Sequence, residues 1–157
     1  VSPPGRPKGE PRALQREGSP LSPAAAQAIL AENLAPWVQA LGLTVEAVAS
    51  DAVTLRLPFD PRLVRVGGTV CGQALMTAAD TAMVIAVSAA LGGFRPMATV
   101  GQTISFLRPV ANDDVLVEAR LLRLGRTLAF GEISLRAAGS GALAAHATTT
   151  YALPSER

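Results

Sequence analysis

The chain has one cysteine, one histidine and one lysine among its 157 residues. A lone cysteine excludes an internal disulfide and any cysteine-built zinc cluster, and a lone histidine argues against a metal centre, so no metal is expected. A large surplus of one charge is also missing. Residues 1–20 hold Arg6, Lys8, Arg12 and Arg16 against Glu10 and Glu17, which accounts for the whole net +2, and the remainder balances. The folded part therefore has no field suited to nucleic acid. No run reaches the roughly 18 consecutive apolar residues of a membrane span. The longest apolar stretch, 72–91, is interrupted by Gln73, Thr77, Asp80, Thr81 and Ser88. A soluble protein of one domain is expected, with no membrane partner.

What is present divides the chain in two. Residues 1–22 are rich in Pro, Gly and charge and poor in branched apolar residues, so they bury too little surface to offset the entropy of ordering. They are expected to form a disordered tail, with a single domain over 23–157. The tail has no apolar core of the signal-peptide kind, and its two Glu argue against an organelle-targeting peptide. The cytoplasm is the expected location.

Ser22-Pro23 predicts an N-cap and first-turn Pro for a helix that Pro36 ends, followed by a short turn around Trp37–Leu41. From Leu43 the apolar period changes to two. Leu43, Val45, Ala47 and Ala49 alternate with more polar residues, as do Val53, Leu55 and Leu57 after Ser50-Asp51, which predicts a hairpin. Residues 58–70 read as a loop. Residues 72–91 are apolar on nearly every side, the pattern of a helix buried all round. Four strands are predicted after it, at 99–107, 114–124, 128–137 and 142–153, separated by Pro109, Gly125-Arg126 and Gly139-Ser140-Gly141. An α+β architecture satisfies this order: a curled antiparallel sheet of about six strands wrapped around one long central helix.

Asp80 is the one ionisable residue of 72–91, and burying it would cost several kcal/mol unless it is paired, hydrogen-bonded or protonated. Two readings stay open on spacing alone. Asp80 either lies on a wet stripe with Gln73, Thr77, Thr81 and Ser88, or it is a catalytic carboxylate acting as nucleophile or general base. The helix start at Gly67-Gly68-Thr69-Val70-Cys71-Gly72-Gln73 also has two readings. Its glycines serve turn geometry, or the unpaired N–H of Gly72 polarises a substrate carbonyl. His146 falls on the outer face of the last strand, Asp113-Asp114 reads as a turn, and Cys71 reads as a packing residue rather than a nucleophile.

GGTVCGQALMTAADTAM, then MATVGQTISFLRPV, then RLLRLGRTLAFGEISL resemble the PaaI-type acyl-CoA thioesterases of the hotdog fold, over about residues 35–153. The resemblance implies hydrolysis of an acyl-CoA thioester with a small aryl-acyl or medium acyl group. It implies no cofactor beyond the coenzyme A of the substrate, and a homodimer that pairs again into a homotetramer. By the same resemblance Gly72 supplies the carbonyl-polarising amide, Asp80 is nucleophile or general base, and Thr99 lies beside the reacting centre. Arg108 and Arg126 become candidates for the nucleotide end of coenzyme A. Three substrate-side positions depart from the family pattern: its His falls on Cys71, its second Gly on Gln73 and a frequent Asn on Arg65. These departures keep a second function in view, a hotdog module that binds acyl-CoA without hydrolysing it. Hydratase chemistry of the His-plus-carboxylate kind finds only His146, in the wrong segment.

Overall fold

The computed structural model describes residues 21–154. Residues 1–20 of the expected tail lie outside that range. Its last two residues do not belong to a tail: Leu21 is buried in the core, and Ser22 Oγ accepts from the Ala25 amide at 3.1 Å to cap the first helix, α1 (Pro23–Asn33). The segment after Pro36, expected as a turn, is one turn of helix, α2 (Pro36–Gln39).

The hairpin follows as β1 (Thr44–Val48) and β2 (Ala52–Leu57), paired antiparallel. Val53, Leu55 and Leu57 are buried as the alternation predicts. In β1 the alternation is broken by a bulge between Val45 and Ala47, which turns Ala47 to solvent and Val48 inward. The stretch expected as a plain loop carries a 3-10 turn (Pro61–Leu63) and a two-residue hairpin, β3 (Val64–Arg65) with β4 (Thr69–Val70). Gly67 and Gly68 both have positive φ there, a conformation that a Cβ would strain.

The long helix α3 spans Gly72–Leu91, the range read from the sequence, and Gly92 ends it in the left-handed conformation. It is followed by β5 (Ala98–Phe106), β6 (Val115–Leu124), β7 (Leu128–Ala137) and β8 (Leu143–Ala152). The six long strands form one antiparallel sheet in the order β1-β2-β6-β7-β8-β5, curled around α3 in the hotdog arrangement. By length and mean hydropathy, 1.7 despite its polar interruptions, α3 would pass for a membrane span, but most of it is buried in this core. Ala78, Ala79, Ala82, Met83, Ile85, Ala86 and Val87 have no exposed surface. The wet stripe, one of the two readings of Asp80, is confined to the first half of the helix, where Gln73 is exposed and Thr77 and Asp80 are half-buried. Thr81 and Ser88 are buried, Ser88 Oγ donates to the Val84 carbonyl at 2.7 Å, and Thr77 Oγ1 donates to the Gln73 carbonyl at 2.8 Å. The Thr77 and Ser88 hydroxyls are satisfied by their own helix and are not partners of Asp80.

The two sheet edges are treated differently. At β1 the Gln27 side chain of α1 acts as a strand partner, donating to the Leu43 carbonyl at 3.1 Å and accepting from the Val45 amide at 2.8 Å. At β5 no element among the described residues covers the edge, and both strand faces are largely exposed. Asp113 and Asp114, read as a turn, also tie loops to the sheet. Asp113 accepts from the Gly139 amide at 2.8 Å, and Asp114 from Phe59 at 2.7 Å and Arg56 at 3.1 Å. The Phe59 amide first, and then Arg56, hold the Asp114 carboxyl below its usual range, so these ties weaken as acid protonates it.

Met83 of α3 packs against Gly131 of β7 so closely that a Cβ there would lie 2.5 Å from Met83 Sδ and Cε and 2.9 Å from the Arg120 carbonyl. The methionine tip can swing aside, but the carbonyl belongs to the neighbouring strand. Gly131→Ala is therefore expected to destabilise the fold by about 1–3 kcal/mol in urea unfolding, and Met83→Ala should not restore it fully.

Candidate active site

Two chemically distinct places lie along α3. The first is its N-terminus. The Cys71 amide donates to the Leu63 carbonyl at 2.8 Å, and the Val70 amide to Val110 at 2.9 Å, so the entry into the helix is fixed by backbone on both sides. Cys71 is the N-cap residue but makes no side-chain cap. The Gly72 N–H is thus the first donor of the helix without an acceptor among the described residues, at the positive end of the dipole. The Phe106 ring lies against Gly72, only 3.1 Å from where a Cβ would be. A cleft of about 450 Å³ opens there, with Arg65, Thr69, Gly72, Phe106 and Arg108 in its lining.

Cys71 and Gln73 face the other way. They line a second, apolar cleft of about 310 Å³ with Trp37, Leu41, Leu63 and Thr77. Cys71 is half-buried there and packs against the core, as its reading as a packing residue expects. The helix start therefore divides the expected substrate-side residues into two groups: Arg65 and Arg108 with Gly72 on one wall, Cys71 and Gln73 on the other.

The second place is Asp80. Thr99 Oγ1 donates to Asp80 Oδ1 at 2.9 Å, which brings these two expected residues together. A bulge in β5 between Thr99 and Gly101 makes this possible. In a regular strand Thr99 and Gln102 would point to opposite faces, yet both bond to α3, Gln102 Nε2 donating to the Met76 carbonyl at 3.1 Å. Gln102 Oε1 is buried without a donor among the described residues.

Tyr151 of β8 completes this place, and the sequence reading missed it. Its hydroxyl makes a short hydrogen bond to Asp80 Oδ1 and lies 2.9 Å from the Asp80 carbonyl oxygen. Tyr151 pairs directly across the strands with Thr99. The missed signal was parity. On β8 Tyr151 shares the inward face with Ala145, Ala147 and Thr149, and a buried tyrosine hydroxyl requires a polar partner. His146, on the other parity, lies 3.5 Å from Glu132 on the outer face, away from Asp80.

Gly72 and Asp80 are eight residues apart, roughly 12 Å along one helix axis, so one chain does not bring them to a common atom. Arg126 is farther still. It lines a cleft of about 580 Å³ with Leu91 and Pro96, beyond the opposite end of α3 from Gly72. Among the described residues no group of three His, Cys, Asp or Glu is placed to hold a metal ion.

Burial, and then the hydrogen bond to Asp80, push the Tyr151 hydroxyl far above its usual range, with the Thr99 hydroxyl opposing. A raised folded-state value means that the stabilisation is fully present below the unfolded phenol's pKa of about 10 and is lost as pH rises beyond it. Tyr151 is the chain's single tyrosine, so ultraviolet difference absorbance reports it alone. No tyrosinate signal is expected before alkaline unfolding, and Asp80→Asn should let the phenol ionise at lower pH.

A family model described as the thioesterase superfamily matches residues 67–144. A presumed thioesterase from Silicibacter sp. is 35% identical, and the match covers 89% of this chain and 96% of that one, with a TM-score of 0.77. The PaaI protein of the Escherichia coli phenylacetic acid degradation operon superposes with a TM-score of 0.73 over 83% of this chain and 91% of its own, at an identity of 18% that speaks for the fold alone. A presumed esterase of Halobacterium salinarum is 35% identical over 102 residues, 60% of this chain and 66% of that protein. This kinship supports thioester hydrolysis in general. With the sheet, the central helix and the sequence match in agreement, the chain belongs to the thioesterase superfamily of hotdog proteins.

Proposed function

We propose that the protein hydrolyses an acyl-CoA thioester in the cytoplasm, at sites shared between two copies of the chain. The observation that carries this reading is the pairing of an unpaired amide at Gly72 with a carboxylate at Asp80 held by two hydroxyls, both beside the open β5 edge. Phe106 at one end of β5 touches Gly72, and Thr99 near the other touches Asp80. A two-fold axis crossing β5 between Gln102 and Thr103 lays Thr99 of one chain opposite Phe106 of the other. It thereby carries Asp80 of each toward Gly72 of its partner, giving two equivalent sites per pair.

In such a site the Gly72 N–H, at the positive end of α3, stabilises the oxyanion that forms when the thioester carbonyl is attacked. Asp80 either takes a proton from the attacking water or attacks itself to form a mixed anhydride that water then cleaves. In both routes the C–S bond breaks and coenzyme A leaves as its thiol. The apolar cleft beside Cys71 has room for a small aryl or medium acyl group, while Arg65 and Arg108 flank the Gly72 cleft on the side suited to phosphate. Arg126 would reach the ligand only across the pair. Further pairing into a tetramer suits the apolar residues Leu122 and Phe130 exposed on the outer sheet face.

A second reading, an acyl-CoA-binding module without turnover, is favoured by one observation. Cys71 and Gln73 line the apolar cleft rather than the Gly72 cleft, so they add no orienting side chain beside the free amide.

Release of free thiol from a panel of acyl-CoA thioesters separates the two readings. Hydrolysis is expected, with turnover falling about a thousandfold or more in Asp80→Asn and retained in Cys71→Ala. Binding of the thioesters without any release would leave the module. Sharing of sites is tested by subunit exchange between inactive Gly72→Pro and inactive Asp80→Asn. Proline suits the first helical position while deleting its N–H, and the Phe106 ring, 3.1 Å from where its Cβ lies, has to give way. Mixed pairs should regain one intact site of two, and no recovery after verified exchange would rule sharing out.

A further inference from the structure

Asp80 is held at one oxygen only. Thr99 and Tyr151 both reach Oδ1, and no donor reaches Oδ2 among the described residues. Asp80 makes no ion pair among them. The groups facing it are the phenol from β8 and the Thr99 hydroxyl from β5, and α3 adds no other titratable side chain.

Tyr151 also lies near the Asp80 main-chain oxygen, but it has one proton to give. That carbonyl is in the body of a helix and accepts the amide four residues on, so the phenolic proton is left for the carboxylate. The phenol is 1% exposed, which keeps its ring out of contact with any substrate. Its position is set by the ladders on either side, opposite Thr99 on β5 and Ala129 on β7. A ring fixed in this way fixes what it bonds to.

We infer that Tyr151 is a positioning residue: with Thr99 it pins Oδ1 and stops rotation of the carboxylate, so that Oδ2 is the oxygen presented to the reacting carbonyl or its water. This rests on the reading of Asp80 as the reacting carboxylate. A phenylalanine would fill the same core volume without this effect, and it therefore isolates the hydroxyl. A charge-assisted hydrogen bond of this kind corresponds to about a ten- to hundredfold change in rate when it orients a reacting group.

The test compares the parent with Tyr151→Phe, Thr99→Val, Thr99→Ser and Asp80→Asn, on the thioester that the parent hydrolyses best. Tyr151→Phe should lower kcat about tenfold or more with KM changed less than about twofold. Thr99→Val should act in the same direction and Thr99→Ser should recover. Since the chain has one tyrosine, 3-fluorotyrosine gives a single fluorine resonance, which should shift in Asp80→Asn and in Thr99→Val. This readout needs neither turnover nor the Phe variant.

An unimpaired Tyr151→Phe beside a dead Asp80→Asn overturns the inference and leaves the reading of Asp80 standing. A fluorine line unmoved by Asp80→Asn overturns it as well. An active Asp80→Asn overturns the reading beneath it.

Discussion

A helix that is apolar on every side cannot stand in water, and α3 is such a helix. Covering it takes more surface than one neighbouring element can present, which is why the sheet must curl and why strands from both sides of the helix in sequence join one ladder. Once the sheet closes over α3, the strand order follows from short antiparallel connections: the hairpin β1-β2 on one flank, β6-β7-β8 in the middle and β5 folded back to the far edge. The close approach of Met83 to Gly131 shows how little room the curl leaves between helix and sheet.

The same constraint defines what Asp80 is. At the half-buried margin of that core a carboxylate still needs donors, and the helix cannot supply them because its own amides are used. Donors come instead from the two strands at the edge of the curl, through a bulge that re-aims Thr99 and a register that sets Tyr151 opposite it. Gly72 obtains its character from the opposite circumstance. The chain on either side of the helix start is fixed by backbone bonds to Leu63 and Val110, and Cys71 contributes no cap, so a donor is left over. One site is a charge that has been satisfied at one oxygen, the other a dipole that has not been satisfied at all.

Much of this was legible in the sequence because it depends on local pattern. The glycines bounding 72–91, the all-round apolar content between them and the Pro and Gly breaks after residue 98 marked the helix and four strands nearly to the residue. Asp80 stood out as an ionisable residue in an apolar stretch, and Thr99 entered through resemblance. What could not be read was tertiary. The β1 bulge turns on packing against α1, and the 58–70 hairpin is too short to show a period. Tyr151 depends on the register between two strands, which no run of residues displays. Cys71 and Gly72 are neighbours in sequence, yet adjacent positions at a helix start diverge by about 100° around the axis and so line different clefts.

The glutamine that bridges to β1 has a consequence for how copies of the chain can meet. A sheet with two bare edges is a polymer unit, since each added copy leaves another bare edge for the next. Gln27 occupies the Leu43 carbonyl and the Val45 amide at the start of one edge, so among the described residues β5 is the edge left without such a cap. Under the proposed pairing through β5 the protein would act as a chain terminator for its own kind, since one partner uses that edge and Gln27 blocks the start of the other.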